Sequence, residues 1–158
     1  MSTPEFILSL REHIGHAPLW LTGVSAMVVD PARTQLLVVR RADNGAWTPV
    51  TGILDPGEEP ARAAAREVTE ETGIVCTPLR LADVRTLPMV TYTNGDQAQY
   101  LDLCFLCEAD PAQEPYPADG ENTAARWAPL TDLPPLNPRF REQLQIALSD
   151  DPAARFRW

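Results

Sequence analysis

Three glutamates close together on one predicted helix are the residues of this chain best suited to chemistry. Glu67, Glu70 and Glu71 are spaced i, i+3 and i+4, so their carboxylates fall on one side of a helix. They lie in its second half, where the macrodipole disfavours negative charge. Because like charges so arranged repel, we expect an offsetting partner, and a divalent cation bound by oxygen ligands fits. The alternative is a solvated acidic face, partly neutralised by Arg62 and Arg66.

The helix that must position these glutamates is predicted over 61–72. Pro60 stands at its start and Gly73 just past its end, as capping preferences favour. Small residues follow one side of the helix at helical spacing, and such a stripe allows close packing on a sheet. The stripe consists of Ala61, Ala64, Ala65, Val68 and Thr72.

Aliphatic and β-branched runs predict strands on both sides of this helix. The predicted strands cover 21–29, 35–39, 47–50, 79–87, 99–106 and 124–128, and we expect the first two to pair. Asn94-Gly95 predicts a hairpin turn. A first helix is predicted to end at Gly15, and a last helix to begin after Asn137-Pro138. We therefore expect one α/β domain over 1–158, with a mixed sheet and a helical extension at 1–16.

The glutamates belong to a longer stretch, 52–74, with the sequence GILDPGEEPARAAAREVTEETGI. This stretch resembles the Nudix box, G-x5-E-x7-R-E-U-x-E-E-x-G-U with U aliphatic, at each specified position. Those positions are Gly52, Glu58, Arg66, Glu67, Val68, Glu70, Glu71, Gly73 and Ile74. A fixed pattern of this length is far more specific than a lone glycine motif. The resemblance implies the Nudix fold, an α/β/α sandwich around a mixed β-sheet, and hydrolysis of a nucleoside diphosphate linked to another group.

The resemblance also implies a metal site. Glu67, Glu70 and Glu71, helped by the backbone carbonyl of Gly52, would bind one or more Mg²⁺ ions, with Mn²⁺ as a substitute. The metal would neutralise the diphosphate and activate a water that attacks phosphorus, releasing a nucleoside monophosphate.

Further catalytic and supporting roles follow from the same resemblance. Arg66 would hold the glutamates in place, and Glu58 would support the loop. A glutamate must accept the proton of the attacking water. That base is either a box glutamate or Glu121, which stands six residues before Trp127 and is also an additional ligand candidate. The other interpretation of Glu121 is an ordinary loop acid.

Residues outside the box must select the substrate. Candidates for base stacking and for phosphate or ribose contacts are Trp47, Tyr92 and Tyr100, and Arg40, Arg41 and Arg85. Trp47 is equally consistent with a core position. Pro88 resembles a proline of ADP-ribose-cleaving relatives, whereas Tyr92 resembles a tyrosine of dinucleoside-polyphosphate relatives. Thr51 stands where triphosphate-hydrolysing relatives often have glycine. The substrate stays open between a nucleoside triphosphate and a nucleotide-sugar such as ADP-ribose.

Composition excludes several other chemistries. All 13 basic residues are arginine, so lysine-dependent P-loop, pyridoxal and kinase chemistry are excluded. The 22 acids give a net charge of −9, which disfavours binding to nucleic-acid polymers or anionic membranes. Phosphate contacts not made by metal or backbone must therefore fall to arginine, and Arg126 joins the three candidates above.

Cysteine usage and the lack of an apparent signal or membrane span indicate a cytoplasmic protein. Cys104 and Cys107 have half the spacing of a zinc knuckle, but strand residues three apart face opposite sides. We therefore expect Cys76, Cys104 and Cys107 to be buried thiols.

Two questions remain open at this level. The apolar residues Phe6, Ile7, Leu8 and Leu10 of the first helix fit either a homodimer contact or packing on the chain's own sheet. A catalytically silent module that senses a nucleotide is the alternative function. The complete set of box glutamates favours the enzyme.

Overall fold

The structure is a computed structural model that describes residues 3–158. Within this range the helices are α1 (Glu5–Ile14), α2 (Pro60–Thr72) and α3 (Pro138–Leu148). The strands of the same range are β1 (Leu19–Val29), β2 (Gln35–Arg41), β3 (Trp47–Thr48), β4 (Val50–Ile53), β5 (Thr77–Thr86), β6 (Val90–Thr91), β7 (Gln97–Glu108) and β8 (Asn122–Pro129). The first two residues of the predicted extension lie outside the described range. The predicted strand at 47–50 is divided between β3 and β4.

The sheet is mixed, with β1 and β7 as a parallel pair at its centre. The other pairings are antiparallel: β4 with β1, β5 and β6 with β7, and β3 and β8 with β2. The predicted pairing of β1 with β2 is confirmed, but in the described chain it is confined to Val29 opposite Leu36. It is short because β4 occupies the edge of β1 between Gly23 and Ala26, and β2 pairs with β8 instead. This divergence places Gly52 of β4 beside the centre of the sheet.

Side-chain alternation along β1 separates the core into two layers. Val24, Ala26 and Val28 pack in the cluster that contains the small residues of α2. Met27 and Val29 pack on the other face, in the cluster built around α3. The predicted α/β/α sandwich around a mixed sheet is therefore confirmed. The three cysteines are free and buried, as predicted.

The buried face of α2 is turned toward the glutamates relative to the predicted stripe. It consists of Ala63, Ala64, Glu67, Val68, Glu71 and Thr72. Ala61 and Ala65 are half-buried at its border. The missing side chain at Gly52 permits this orientation, since a Cβ at that position would overlap the Glu67 carboxyl group. Two of the three glutamates that α2 contributes to the box are therefore inside the protein rather than on its surface.

The first helix, α1, packs on the chain's own sheet through one side. Ile7 is buried against Leu21 and Ala98, while Leu8 and Leu10 stay 48% and 42% exposed. Packing on the sheet thus explains part of the apolar surface of α1. Within residues 3–158, no helix is long and apolar enough to cross a membrane.

Candidate active site

The close approach of β4 to α2 forms the base of the candidate site. Gly52 is buried in β4, directly against the carboxyl group of Glu67. Any larger residue at position 52 would have to displace that carboxylate, so the glycine is required by space rather than by an unusual backbone angle. The main chain of β4 and the acidic face of α2 are consequently in contact.

Arg66 ties the loop, the helix and β4 together. Its Nε and Nη2 donate to the two oxygens of Glu58 at 2.8 and 2.9 Å, a bidentate pair. Its Nη1 donates to Glu67 Oε1 at 2.9 Å and to Glu70 Oε2 at 3.1 Å. Nη2 also reaches the carbonyl oxygen of Ile53 at 3.2 Å. This guanidinium lowers the pKa of Glu58, and it fixes the positions of the helix carboxylates relative to β4.

Glu67 and Glu71 are buried, with 2% and 6% of their surface exposed. Burial raises the pKa of Glu67 to about 7, against the opposing effect of Arg66. Burial also raises the pKa of Glu71 to about 7, although Asn122 Nδ2 donates to its Oε2 at 2.8 Å. Each carboxylate thus lacks enough positive partners to offset its desolvation. A bound cation would supply that missing compensation.

The donor chemistry of this site fits a hard divalent cation. The available ligands are carboxylate oxygens from α2 and the carbonyl oxygen of Gly52, the oxygen-only set that Mg²⁺ and Mn²⁺ prefer. Among residues 3–158 no three His, Cys, Asp or Glu side chains already converge as a metal cluster. In the described structure Glu67 is hydrogen-bonded to Arg66 and Glu71 to Asn122. Arg66 and Asn122 would therefore hold the two carboxylates in place for the ion.

A cavity of about 470 Å³ opens beside the carboxylates. Gly52, Glu71, Glu121 and Arg41 line it on the box side. Its other lining residues come from α1, from the sheet, from the β6–β7 hairpin and from α3. These include Ile7 and Arg11, Ser25 and Asp102, Tyr92 and Tyr100, and Arg139. The cavity thus joins an acidic rim to walls that are partly aromatic and apolar.

The sequence of this chain matches a known domain family. The model of the NUDIX domain matches residues 20–147. The chain belongs to the Nudix family. A MutT-like protein of Streptomyces ambofaciens is 36% identical over 133 residues, covering 84% of this chain and 77% of that protein. Nudix hydrolase 6 of Arabidopsis thaliana is 32% identical over 119 residues, covering 70% of this chain; the chain spans only 39% of the plant protein.

Solved structures of the Nudix family also share the fold. The crystal structure of a MutT NUDIX hydrolase from Burkholderia pseudomallei superposes with a TM-score of 0.62 at 27% identity. The match covers 80% of this chain and 97% of that protein. Helix α1 precedes the part of the chain that the family model matches, yet its residues Ile7 and Arg11 line the 470 Å³ cavity, called the Nudix cavity below.

The structure brings some of the predicted substrate residues to the Nudix cavity. Arg41 lines it while its Nε and Nη2 bind Asp43. Tyr92 and Tyr100 line it together, with their hydroxyl oxygens 2.6 Å apart. Glu121 also lines the cavity, just before β8. The structure shows that these residues line one cavity, and their roles in binding or catalysis stay predictions.

Three predicted substrate residues and one further arginine lie outside the cavity lining. Arg40 is exposed and donates to the Gly45 carbonyl at 3.2 Å. Trp47 packs at the border of the α3 core with Arg126 stacked 4.9 Å from its ring, the core position left open by the sequence. Arg85 faces α3 and pairs with Asp83 and Glu142. Arg85 lies outside the cavity because strand alternation along β5 directs its side chain toward α3.

Sequence reasoning missed several residues that belong to the site. Asn122, which binds Glu71, follows the predicted Glu121 directly and carries no signal of its own. Asp102 had a signal: an acid inside the apolar run of β7 is a local conflict of the kind that marks functional sites. Arg139 and Arg11 carry no sequence signal for the site, because only the packing of α3 and α1 brings them to the cavity.

Proposed function

We propose that the chain hydrolyses nucleoside diphosphates linked to another group, with Mg²⁺ as its metal and Mn²⁺ as a substitute. The observation that carries this proposal is a pair of buried, under-compensated carboxylates on α2. Glu67 lies against Gly52, and Glu71 lines a cavity large enough for a nucleotide. Membership of the Nudix family supports the reaction type.

The residues divide the work by position. Glu67, Glu70 and Glu71, with the Gly52 carbonyl, would hold the cation, which when bound neutralises the diphosphate and acidifies the attacking water. Arg66 keeps the carboxylates in register, and Arg41 lines the cavity beside Glu71 and Glu121, where phosphate oxygens would lie.

The reaction itself is a displacement at phosphorus. The water oxygen forms a new bond to phosphorus as the bridging P–O bond breaks, and the bridging oxygen leaves with the other phosphate. The water's proton passes to a carboxylate, for which Glu71 and Glu121 at the cavity rim are the candidates. The products are a nucleoside monophosphate and the phosphorylated second group.

The experiment compares Glu70→Gln and Glu71→Gln with the wild type on a panel of nucleotides with Mg²⁺ or Mn²⁺. We expect release of a nucleoside monophosphate by the wild type and a loss of about a thousandfold or more in both variants. Glu59→Gln is the matched control, because Glu59 is exposed, stands at an unspecified position of the box and makes no side-chain capping hydrogen bond. Wild-type activity in both variants contradicts the proposal. Nucleotide binding without turnover at any metal concentration favours the sensing module.

Two further points stay predictions. A homodimer through the exposed side of α1 is tested by light scattering of the wild type and a Leu8→Ser, Leu10→Ser variant. Cytoplasmic location is tested by cell fractionation.

A further inference from the structure

Asp102 is a buried acid in the middle of β7 whose two oxygens are both used. It is 3% exposed. Its Oδ1 accepts from Ser25 Oγ at 2.8 Å, and its Oδ2 accepts from Gln143 Nε2 at 2.6 Å and Arg139 Nη1 at 3.2 Å. An acid so fully bonded has little capacity left for a ligand. What it does is hold the guanidinium of Arg139 at the cavity.

Arg139 presents an unused pair of donors. All of its hydrogen bonds in the described structure are made by Nη1, to Asp102, Gln143 and Ser25. Its Nε and Nη2 have no partner there, and neither is sealed from the cavity or solvent. These two nitrogens form one edge of the guanidinium, a planar fork that matches two adjacent acceptors.

The other arginines that line the cavity do not offer this edge. Arg11 donates through Nη1 to the carbonyls of Gly15 and Ala17 and through Nη2 to that of Gln97. Arg41 uses Nε and Nη2 on Asp43. Among the described cavity residues, Arg139 is therefore the arginine placed to read a ligand with two hydrogen bonds.

The surroundings of Arg139 favour a flat, neutral ligand over a second anion. Tyr100 lies two residues before Asp102 on β7, lines the same cavity and is only half-buried, so it provides aromatic surface for a ring. An additional phosphate or carboxylate would meet the negative charge of Asp102, 3.2 Å from Nη1. A nucleobase with two adjacent acceptors satisfies both conditions. Guanine offers O6 and N7, whereas adenine places an N6 donor beside N7 and would oppose the fork.

We propose that Arg139, oriented by Asp102, selects guanine as the base of the nucleotide substrate. This inference deepens the proposed function and rests on it, because it assigns the base subsite of the same cavity. Arg139 acts as a specificity-determining residue that touches the base, and Asp102 acts as its positioning residue.

The test measures kcat and KM for GDP-, ADP-, CDP- and UDP-glucose with Mg²⁺, which differ only in the base. We expect the wild type to prefer GDP-glucose over ADP-glucose by about tenfold to a hundredfold in kcat/KM. Arg139→Lys keeps the positive charge next to Asp102 but removes the fork. It should bring the ratio near one, mainly through a higher KM for the guanine substrate. Arg141→Lys, an exposed arginine on the same helix, is the control and should keep the wild-type ratio.

Several outcomes decide against the inference. A wild type that prefers adenine, or shows no preference, overturns it while leaving the proposed hydrolysis intact. An equal loss for all four substrates in Arg139→Lys shows a purely structural role and also overturns it. If none of the four sugar nucleotides is hydrolysed, the wider nucleotide panel described above decides about hydrolysis, and calorimetry with GMP and AMP decides about Arg139. Tighter GMP binding that is lost in Arg139→Lys supports the inference, and equal affinities or a failure of both to bind refute it.

Asp102→Asn, which keeps the side-chain volume, replaces Arg139→Lys if the latter does not fold and should weaken the preference for guanine.

Discussion

Two buried acids in the described part of the chain, Asp83 and Glu71, differ in how fully their charge is compensated. Asp83, on the α3 side, accepts from Arg85 and Gln143 through Oδ2 and from Arg157 through Oδ1. Glu71, on the box side, accepts from the neutral Asn122 in the described part of the chain. Asp83 is thus surrounded by two guanidinium groups, whereas burial dominates the ionisation of Glu71. The contrast separates an acid whose charge the fold itself compensates from one whose charge the fold leaves under-compensated.

The largest effect that would sharpen this contrast is expected for Asp83→Asn. The substitution removes the carboxylate charge at a fully buried position and leaves the largely buried Arg85 guanidinium with the half-exposed Glu142 as its remaining ionic partner in the described chain. Because breaking a buried pair strands the remaining charge, we expect a loss of about 3–5 kcal/mol in the free energy of unfolding, measured by urea denaturation.

Glu142→Gln is the matched control for that experiment. Glu142 pairs with the same two arginines, but its side chain is 48% exposed. The loss should be below about 1 kcal/mol, as for other surface ion pairs. Equal losses in the two variants would contradict the distinction between buried and exposed pairing.

The next effect concerns the pH dependence of the metal-free protein. The folded pKa of Glu71, about 7, lies above its ordinary value of 4.5, so the folded state keeps a proton that the unfolded chain releases. The contribution of Glu71 to stability is therefore present below about pH 4.5 and is lost as the pH rises through 7. In EDTA, the wild type should lose up to about 3 kcal/mol more than Glu71→Gln between pH 5 and 8. Identical pH profiles for the two proteins would show that Glu71 has an ordinary pKa.

Gly52→Ala tests whether the Glu67 carboxylate must lie against β4. The added methyl group overlaps that carboxylate, so the side chain has to move or the strand has to shift. We expect a loss of about 1–3 kcal/mol in stability and weaker Mg²⁺ binding in calorimetry. Thr51→Ala, on the neighbouring half-buried position, should leave Mg²⁺ affinity unchanged. Wild-type affinity in Gly52→Ala would show that Glu67 does not need this position.

The smallest effect is expected for Asn122→Ala. Its amide donates to Glu71 Oε2, and removing that donor leaves the buried carboxylate harder to ionise. We expect Mg²⁺ affinity to fall by about tenfold, with the fold intact by circular dichroism. Asn122→Asp provides the opposite check: a second carboxylate at this position should raise the pKa of Glu71 further.

The box side was predictable because its parts follow one another in the chain. One helix and the strand before it carry Gly52, Arg66 and the three glutamates at fixed spacing, and local rules describe both elements. The burial of Glu67 and Glu71 was not predictable, since it depends on how far α2 rotates when it meets Gly52.

The opposite side of the cavity could not be predicted in the same way. Ser25, Asp102 and Arg139 come from β1, β7 and α3 and meet only after the parallel pairing of β1 with β7 is formed. Residue type alone makes Arg85 a candidate for substrate contact, whereas strand alternation turns its side chain toward Asp83. Type and spacing therefore identified the acidic rim, while the residues that would contact a base depended on long-range packing.

Helix α1 has a practical consequence for anyone who shortens this chain. The family match begins at residue 20, but Ile7 and Arg11 belong to the cavity wall. A version trimmed to the family boundaries would keep every box residue, yet its cavity would be open on one side. Kinetic constants measured on such a version would describe a different enzyme from the intact chain.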